Sequence, residues 1–195
     1  MQILNAKKNI IVIISAPSGS GKTTLCNELA KRLPNLVHSV SYTTRARRTG
    51  ERNGRDYCFV PKTEFFRKAK LGFFAEWAEY FGNLYGTPKA PVLNAIKKGK
   101  DILLSIDVQG QAKLKRIFPD SISVFVLPPS FSELKKRLRK RKTERSSDIN
   151  KRLKIAKKEL SFINRYDYAV INDDLKKAAA RVGAIILAEK CKIKK

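Results

Sequence analysis

The sequence predicts an α/β fold, a mostly parallel sheet flanked by helices, with an inserted subdomain and a helical lid. Three observations predict it. Residues 10–14 and 121–127 are nearly continuous apolar runs of strand length, the pattern of strands buried on both faces. Segments of helical period alternate with such runs, the order that builds a parallel sheet with covering helices. Residues 41–87 break the alternation with an aromatic, arginine-rich stretch that reads as an insertion.

The elements follow in order. A strand is expected over 10–15 and a helix over 23–33, stopped by Pro34. A short strand is expected over 38–42, and the Arg- and Gly-rich residues 45–55 read as a loop. Residues 57–60 are strand-like and 63–70 helical. Two aromatic runs, 73–80 and 84–87, flank Phe81-Gly82-Asn83, which predicts a hairpin. A helix over 88–98 begins at Pro88 and ends at Gly99, the usual asymmetry of helix ends. A strand over 101–107 ends in an acid, a helix over 109–118 is stopped by Pro119, and Pro128-Pro129 ends the strand 121–127. Helices are expected over 132–140 and 147–164, then a strand over 168–171. The last helix, 173–189, carries two acids in its first turn, favourable to the helix dipole. The basic run 137–152 reads as a second insertion, a lid.

A chain of 195 residues with 43% apolar content supports one domain with a real core. Its net charge of +25 favours anionic partners: nucleotides, nucleic acid or an acidic membrane surface. The basic residues are spread along the chain rather than gathered in a tail, so charge alone does not choose among these. No apolar stretch is long enough to cross a bilayer, and residues 1–8 lack a signal-peptide layout, so a cytoplasmic location is expected. Cys26, Cys58 and Cys191 are far apart with no C-x-x-C spacing, against both a disulfide framework and a zinc site. Cys26 should pack in the core. His38, the one histidine, precedes a short strand and is expected to be structural or on the surface.

The chemistry is carried first by Ala16-Pro17-Ser18-Gly19-Ser20-Gly21-Lys22-Thr23-Thr24, between a strand and a helix. This is the layout of a nucleotide-binding P-loop. Small residues let backbone N–H groups converge on an anion, and the helix N-terminus adds partial positive charge. Lys22 should reach the β/γ-phosphates, and the Thr23 hydroxyl should take a position on Mg²⁺. The usual first glycine is Ala16, which would be strained were a positive φ needed there.

Several stretches together resemble the guanylate kinase family: APSGSGKTT, SVSYTTRARRTGERNGRDYCFV, FFAEWAEYFGNLYGTP, SIDVQGQ, VFVLPPS, KKRLRKRKTE, INKRL and VINDDL. The resemblance implies a P-loop kinase of three parts: a core (1–38, 91–130 and 160–195), a GMP-binding region (39–90) and a lid (131–159). It implies transfer of a phosphoryl group from ATP, with Mg²⁺, to GMP, giving GDP, with dGMP as a further acceptor. It implies neither a specific nucleic acid nor a membrane as partner, and a monomer or homodimer.

Residue by residue, the resemblance places the base-reading acid at Glu76, helped by the hydroxyls of Ser41 and Thr87. An ionised carboxylate is acceptor-only and can take the adjacent N1–H and N2–H₂ donors of guanine together. Arg45, Arg48, Tyr57 and Tyr85 match positions that hold the GMP phosphate, and guanidinium groups pair with phosphate oxygens in bidentate fashion. Asp107 is assigned to the GMP site, holding a Mg²⁺-bound water, an arginine or part of that site. Lys22, Arg141 and Arg152 are the expected catalytic groups, while Arg137 and Asn172 lie on the ATP side. Relatives commonly carry an acid at the position of Ser105 and glycine at that of Lys142. A protein-interaction scaffold, a kinase for another phosphorylated acceptor and a nucleic-acid binder are the alternatives. The retained Lys22, Thr23, Glu76, Arg45, Arg48 and Arg141 argue against the scaffold, and Glu76, Tyr57 and Tyr85 favour GMP over another acceptor; the nucleic-acid binder is motivated by charge alone, which a solvated surface also explains.

Overall fold

The computed structural model describes residues 9–140 and 146–193. In chain order the elements are β1 (Ile11–Ser15), α1 (Lys22–Arg32), β2 (Leu36–Ser39), β3 (Tyr42–Thr43), β4 (Cys58–Phe59), α2 (Lys62–Lys70), β5 (Phe74–Tyr80) and β6 (Asn83–Pro88). They continue with α3 (Lys89–Lys97), β7 (Asp101–Ser105), α4 (Val108–Ile117), β8 (Ile122–Leu127), α5 (Phe131–Lys140), α6 (Ser146–Leu160), β9 (Tyr168–Ile171) and α7 (Leu175–Cys191).

The main sheet runs β2-β7-β1-β8-β9, and every pairing is parallel. Its centre explains the apolar run of the first strand. Val12 and Ile14 pack with Leu25, Cys26 and Leu29 of α1 and with Ala178 and Val182 of α7. Ile13, pointing the other way, packs with Val92 of α3 and Leu114 of α4. A strand covered on both faces has no room for a polar alternation.

The insertion forms a second sheet, β4-β3-β6-β5. Its β5–β6 hairpin is antiparallel, and β3 pairs parallel with β4 and antiparallel with β6. Helix α2 covers it through Phe65, whose ring stacks on Phe74 with centroids 4.6 Å apart. The basic region is two helices with a small core of Leu134, Leu138 and Ala156, against which Ile149 and Leu153 pack. That core sits on the P-loop: a Cβ on Gly19 would stand 3.0 Å from Leu134 Cδ1.

Four expectations are corrected. The strand expected over 38–42 is two strands in different sheets, because β2 ends at Ser39 and β3 starts at Tyr42; His38 therefore lies within β2, not ahead of it. The strand ending in Asp107 stops at Ser105. Asp107 instead caps α4, where Oδ1 accepts the N–H groups of Gln109 and Gly110 at 2.8 Å each. The acids expected inside the first turn of the last helix precede it, and Asp174 is its N-cap, accepting from Lys177 N at 2.8 Å. The helix expected over 147–164 ends at Leu160, followed by a 3₁₀ turn at Ile163–Arg165.

Gly86 shows how tightly the second sheet is filled. A Cβ there would stand 2.8 Å from Phe74 Cδ1 and 3.0 Å from Phe65 Cζ, inside a stacked pair with little freedom. Gly86→Ala should cost about 1–3 kcal/mol through overpacking. Urea unfolding checks this, and an unchanged midpoint would mean that the rings give way.

Candidate active site

The cleft lies beyond the C-terminal ends of β1 and β7, where parallel α/β sheets bind ligands. The chain leaves β1 through Ala16-Pro17-Ser18 and enters α1 at Lys22. Gly19 (φ 97°) and Gly21 (φ 86°) take left-handed conformations that a side chain would resist. Ala16 is not among the residues of positive φ, so the departure there carries no such strain. Asn172 donates from Nδ2 to the Ser20 carbonyl at 2.8 Å and supports the loop from behind. Lys22 donates from Nζ to the Ile106 carbonyl at 2.6 Å. Burial lowers its pKa, with Cys26, Asp107, Glu159 and Glu76 opposing.

Across the cleft stands Glu76. The β5–β6 register puts it opposite Thr87, and Thr87 Oγ1 donates to Glu76 Oε1 at 2.7 Å. Helix α4 approaches from the other side through Gly110, where a Cβ would stand 2.9 Å from Glu76 Oε2. The carboxyl is 7% exposed. Burial pushes its pKa up to about 7; the Thr87 hydrogen bond and Lys113 pull it down, and Asp107 pushes it up. A buried acid with an acceptor edge on the cavity is made to receive paired donors, and is costly without them.

A basic and phenolic cluster follows along the same wall. Arg45 donates from Nη2 to Glu51 Oε1 at 2.7 Å and from Nη1 to the Ala46 carbonyl at 2.7 Å, and its guanidinium lies 5.5 Å from the Tyr57 ring. Glu51 also accepts the Arg48 N–H at 2.8 Å. Burial raises the Glu51 pKa, but those hydrogen bonds outweigh it and leave the acid below its ordinary value. Tyr57 is pushed up to about 12 by burial and stays a phenol, a donor to an anion. Tyr85 meets it edge to face, centroids 6.0 Å apart. From α6, Arg152 donates from Nη1 to Ser18 Oγ at 2.9 Å, and Glu159 is buried beside it.

Most of the sequence-predicted residues thus share one cleft. Ala16 to Thr24 (except Ser20), Ser41, Arg45, Arg48, Tyr57, Glu76, Tyr85, Asp107 and Arg152 line it. Four do not. Thr87 stands behind Glu76, and Ser20 is buried under the loop. Asn172 is spent on Ser20, and Arg137 pairs with Glu133 at 3.2 Å. Arg141 lies outside the described residues, as does Lys142. Among the described residues no group of three or more His, Cys, Asp or Glu side chains is placed to hold a metal. The donor that fits Mg²⁺ is the Thr23 hydroxyl, since Mg²⁺ takes few protein ligands and completes its shell with water and phosphate oxygens.

Sequence reasoning missed Glu51, Tyr80, Gly110 and Glu159. Gly110 stood in the quoted SIDVQGQ stretch and could have been found there. Glu51, among arginines, gave no signal of its own, and Glu159 reaches the cleft only through the packing of α6.

The chain matches the family model described as guanylate kinase over residues 8–189. It is 44% identical over 188 residues to the guanylate kinase of Carboxydothermus hydrogenoformans, covering 96% of this chain and 92% of that one. It is 47% identical over 186 residues to that of Syntrophotalea carbinolica, covering 95% and 89%. Its structure superposes on the crystal structure of guanylate kinase from Anaplasma phagocytophilum with a TM-score of 0.81 at 38% identity, covering 96% of this chain and 89% of that chain. A shikimate kinase from Bacteroides thetaiotaomicron shares the fold, with a TM-score of 0.50 at 12% identity, covering 91% and 98%.

Two outcomes follow from Glu76. Its acceptor form is the carboxylate, and burial raises its pKa to about 7, so binding of GMP should strengthen as pH rises from 6 to 8. Phosphate ionisation of the ligand is common to wild type and Glu76→Gln, so calorimetry on both isolates the contribution of this residue; equal slopes would remove it from base reading. Gly110→Ala displaces the carboxyl and should weaken GMP binding about tenfold, the scale of one lost hydrogen bond to a charged group.

Proposed function

The chain belongs to the guanylate kinase family, and from that membership we infer how its cleft is used: it phosphorylates GMP to GDP with ATP as donor. The observation that carries the division of labour is the buried Glu76, backed by Thr87, on the same cleft as the P-loop. In this reading the P-loop N–H groups and Lys22 bind the β- and γ-phosphates of ATP. Lys22 exchanges the Ile106 carbonyl for phosphate oxygens. Glu76, with Thr87 and Ser41, reads guanine. Arg45, Arg48, Tyr57 and Tyr85 hold the GMP phosphate, with Glu51 holding the Arg45 guanidinium and the Arg48 backbone N–H until it arrives. The described residues fall accordingly into a core, a GMP-binding region (39–90) and a lid (131–159).

A GMP phosphate oxygen attacks the γ-phosphorus, the bond to the β,γ-bridging oxygen breaks, and ADP leaves with that electron pair. The nucleophile is already largely ionised at neutral pH, since phosphate monoesters have a second pKa of about 6. The scarcity of histidine is therefore no obstacle. What the chain must supply is alignment and positive charge on the equatorial oxygens. Arg152, now on Ser18, is placed to turn to the transferring group; Arg141 is assigned beside it and Arg137 to the ATP side by family resemblance. Mg²⁺, held by Thr23 and the nucleotide, would supply further charge neutralisation. Asp107 stands within the same cleft, its Oδ1 engaged in capping α4. Every residue named comes from one chain, so a monomer or a homodimer serves equally. A 2′-hydroxyl has no assigned partner here, so dGMP is included as acceptor. No helix among the described residues is long and apolar enough to cross a membrane; the proposed place of action is the cytoplasm.

A coupled ADP-release assay with ATP, Mg²⁺ and each nucleoside monophosphate tests the reading. GMP should be preferred over AMP by about 10²-fold or more, because adenine presents an acceptor where Glu76 needs a donor. Turnover with AMP or CMP but not GMP would sink it.

A further inference from the structure

The tip of the β5–β6 hairpin is built in an unusual way. Tyr80 pairs with Asn83, leaving Phe81-Gly82 as a two-residue turn with φ of 52° and 70°. Turns with two positive φ values favour Asn-Gly or Gly-Gly. Among the described residues Phe81 is the one non-glycine residue of positive φ, and a bulky side chain is disfavoured there. The ring at that position is engaged. The Arg152 guanidinium lies 4.8 Å from its centroid, and the Tyr80 ring meets it edge to face at 4.9 Å.

Helix α6 touches the same tip at a second point. Glu159, seven residues after Arg152 and so two turns along the same face, is 3% exposed, and its carboxyl interacts with the Tyr80 hydroxyl and the Ser18 backbone N–H. Arg152 holds the Ser18 hydroxyl at 2.9 Å. Each of these α6 side chains therefore joins one residue of the P-loop, Ser18, to one residue of the hairpin tip.

We propose that Tyr80 and Phe81 are positioning residues that hold Arg152 against the P-loop, so that seating the acceptor on the hairpin and placing the arginine are one event. The hairpin that carries Glu76, Tyr85 and Thr87 also carries this tip. A correctly bound base thus sets the platform from which the arginine works. The ring suits the task, because stacking on the face of a guanidinium consumes none of its N–H donors. The proposal rests on the GMP kinase reading and adds a role for two residues that touch neither substrate in it.

Steady-state kinetics of the full chain with ATP and GMP test it. Phe81→Gly fits the turn, so its thermal midpoint should match or exceed that of the wild type. Its kcat should fall about tenfold or more, the scale of a small misplacement of a catalytic group, with KM for both substrates within about twofold. Phe81→Tyr should restore kcat. In an Arg152→Ala background, Phe81→Gly should cost nothing further, since it acts through that arginine. An unchanged kcat, a loss confined to the KM for GMP, or an equal loss in both backgrounds would overturn the proposal and leave the kinase reading standing. A wild type inactive on GMP would overturn the kinase reading, and this inference with it.

Discussion

A carboxyl group taken out of water organises this molecule. Glu76 sits between two layers that would otherwise not need to meet, the second sheet and helix α4 of the core. Thr87 from the neighbouring strand occupies one oxygen, and Gly110 lets the helix approach within a Cβ radius of the other. Burial of an acid without a full set of partners is unfavourable; the Thr87 hydroxyl offsets part of that cost, and in the proposed reading the two adjacent donors of guanine offset the rest. The Phe65–Phe74 stack beneath Gly86 keeps β5 and β6 in the register on which the pair depends. Stability and specificity are thus drawn from the same strands.

Charge has a more local meaning than the total of +25 suggests. Many cations are matched on the surface, as in Arg67 with Glu64 or Arg181 with Asp173, and such exposed pairs contribute little. The cations of the cleft differ. Lys22 is desolvated against a carbonyl, and Arg45 is held by a single buried-side acid, Glu51. For Lys22 a phosphate replaces that carbonyl with gain, because charge-assisted hydrogen bonds to phosphate are stronger than those to a neutral carbonyl; Arg45 already holds a charge-assisted partner in Glu51. The overall excess raises the encounter rate with anions; these few contacts decide which anion stays.

What the sequence disclosed follows from the range of each contact. The P-loop was legible because strand, turn and helix are consecutive and their residue types are set by local backbone needs. The hairpin was legible from its aromatic runs and Gly82. The split of residues 38–42 was not, because the break at Val40-Ser41 is imposed by two separate sheets. Asp107 looked like the end of a strand because an N-cap and a strand-terminal acid share a sequence signature. Glu159 and Tyr80 were invisible for a different reason: their partners lie on other elements, and only folding brings Ser18, Tyr80 and Glu159 together. Glu51 has its partners Arg45 and Arg48 in its own loop, but among so many arginines its sequence does not say which it holds. Family resemblance supplied Arg45 and Arg48, but not Glu51, which holds the guanidinium of the first and the backbone of the second.

The two departures from the family pattern that the structure describes can be weighed in the same terms. Ala16 adds a methyl group where the backbone is not left-handed, so it takes nothing from the loop. Ser105 replaces an acid at the end of β7, under the P-loop helix. Its side chain interacts with the Cys26 thiol, which burial pushes up to about 11 and keeps protonated. An acid there would need a cation, and Lys22, which acts on the neighbouring Cys26 thiol, is the one at hand. With serine and a neutral thiol in those places, the acids that oppose the desolvation of Lys22 are Asp107, Glu159 and Glu76. The lysine is therefore held by geometry, on the Ile106 carbonyl, more than by charge. Its strongest available counter-ion is the one the loop around it is shaped to admit.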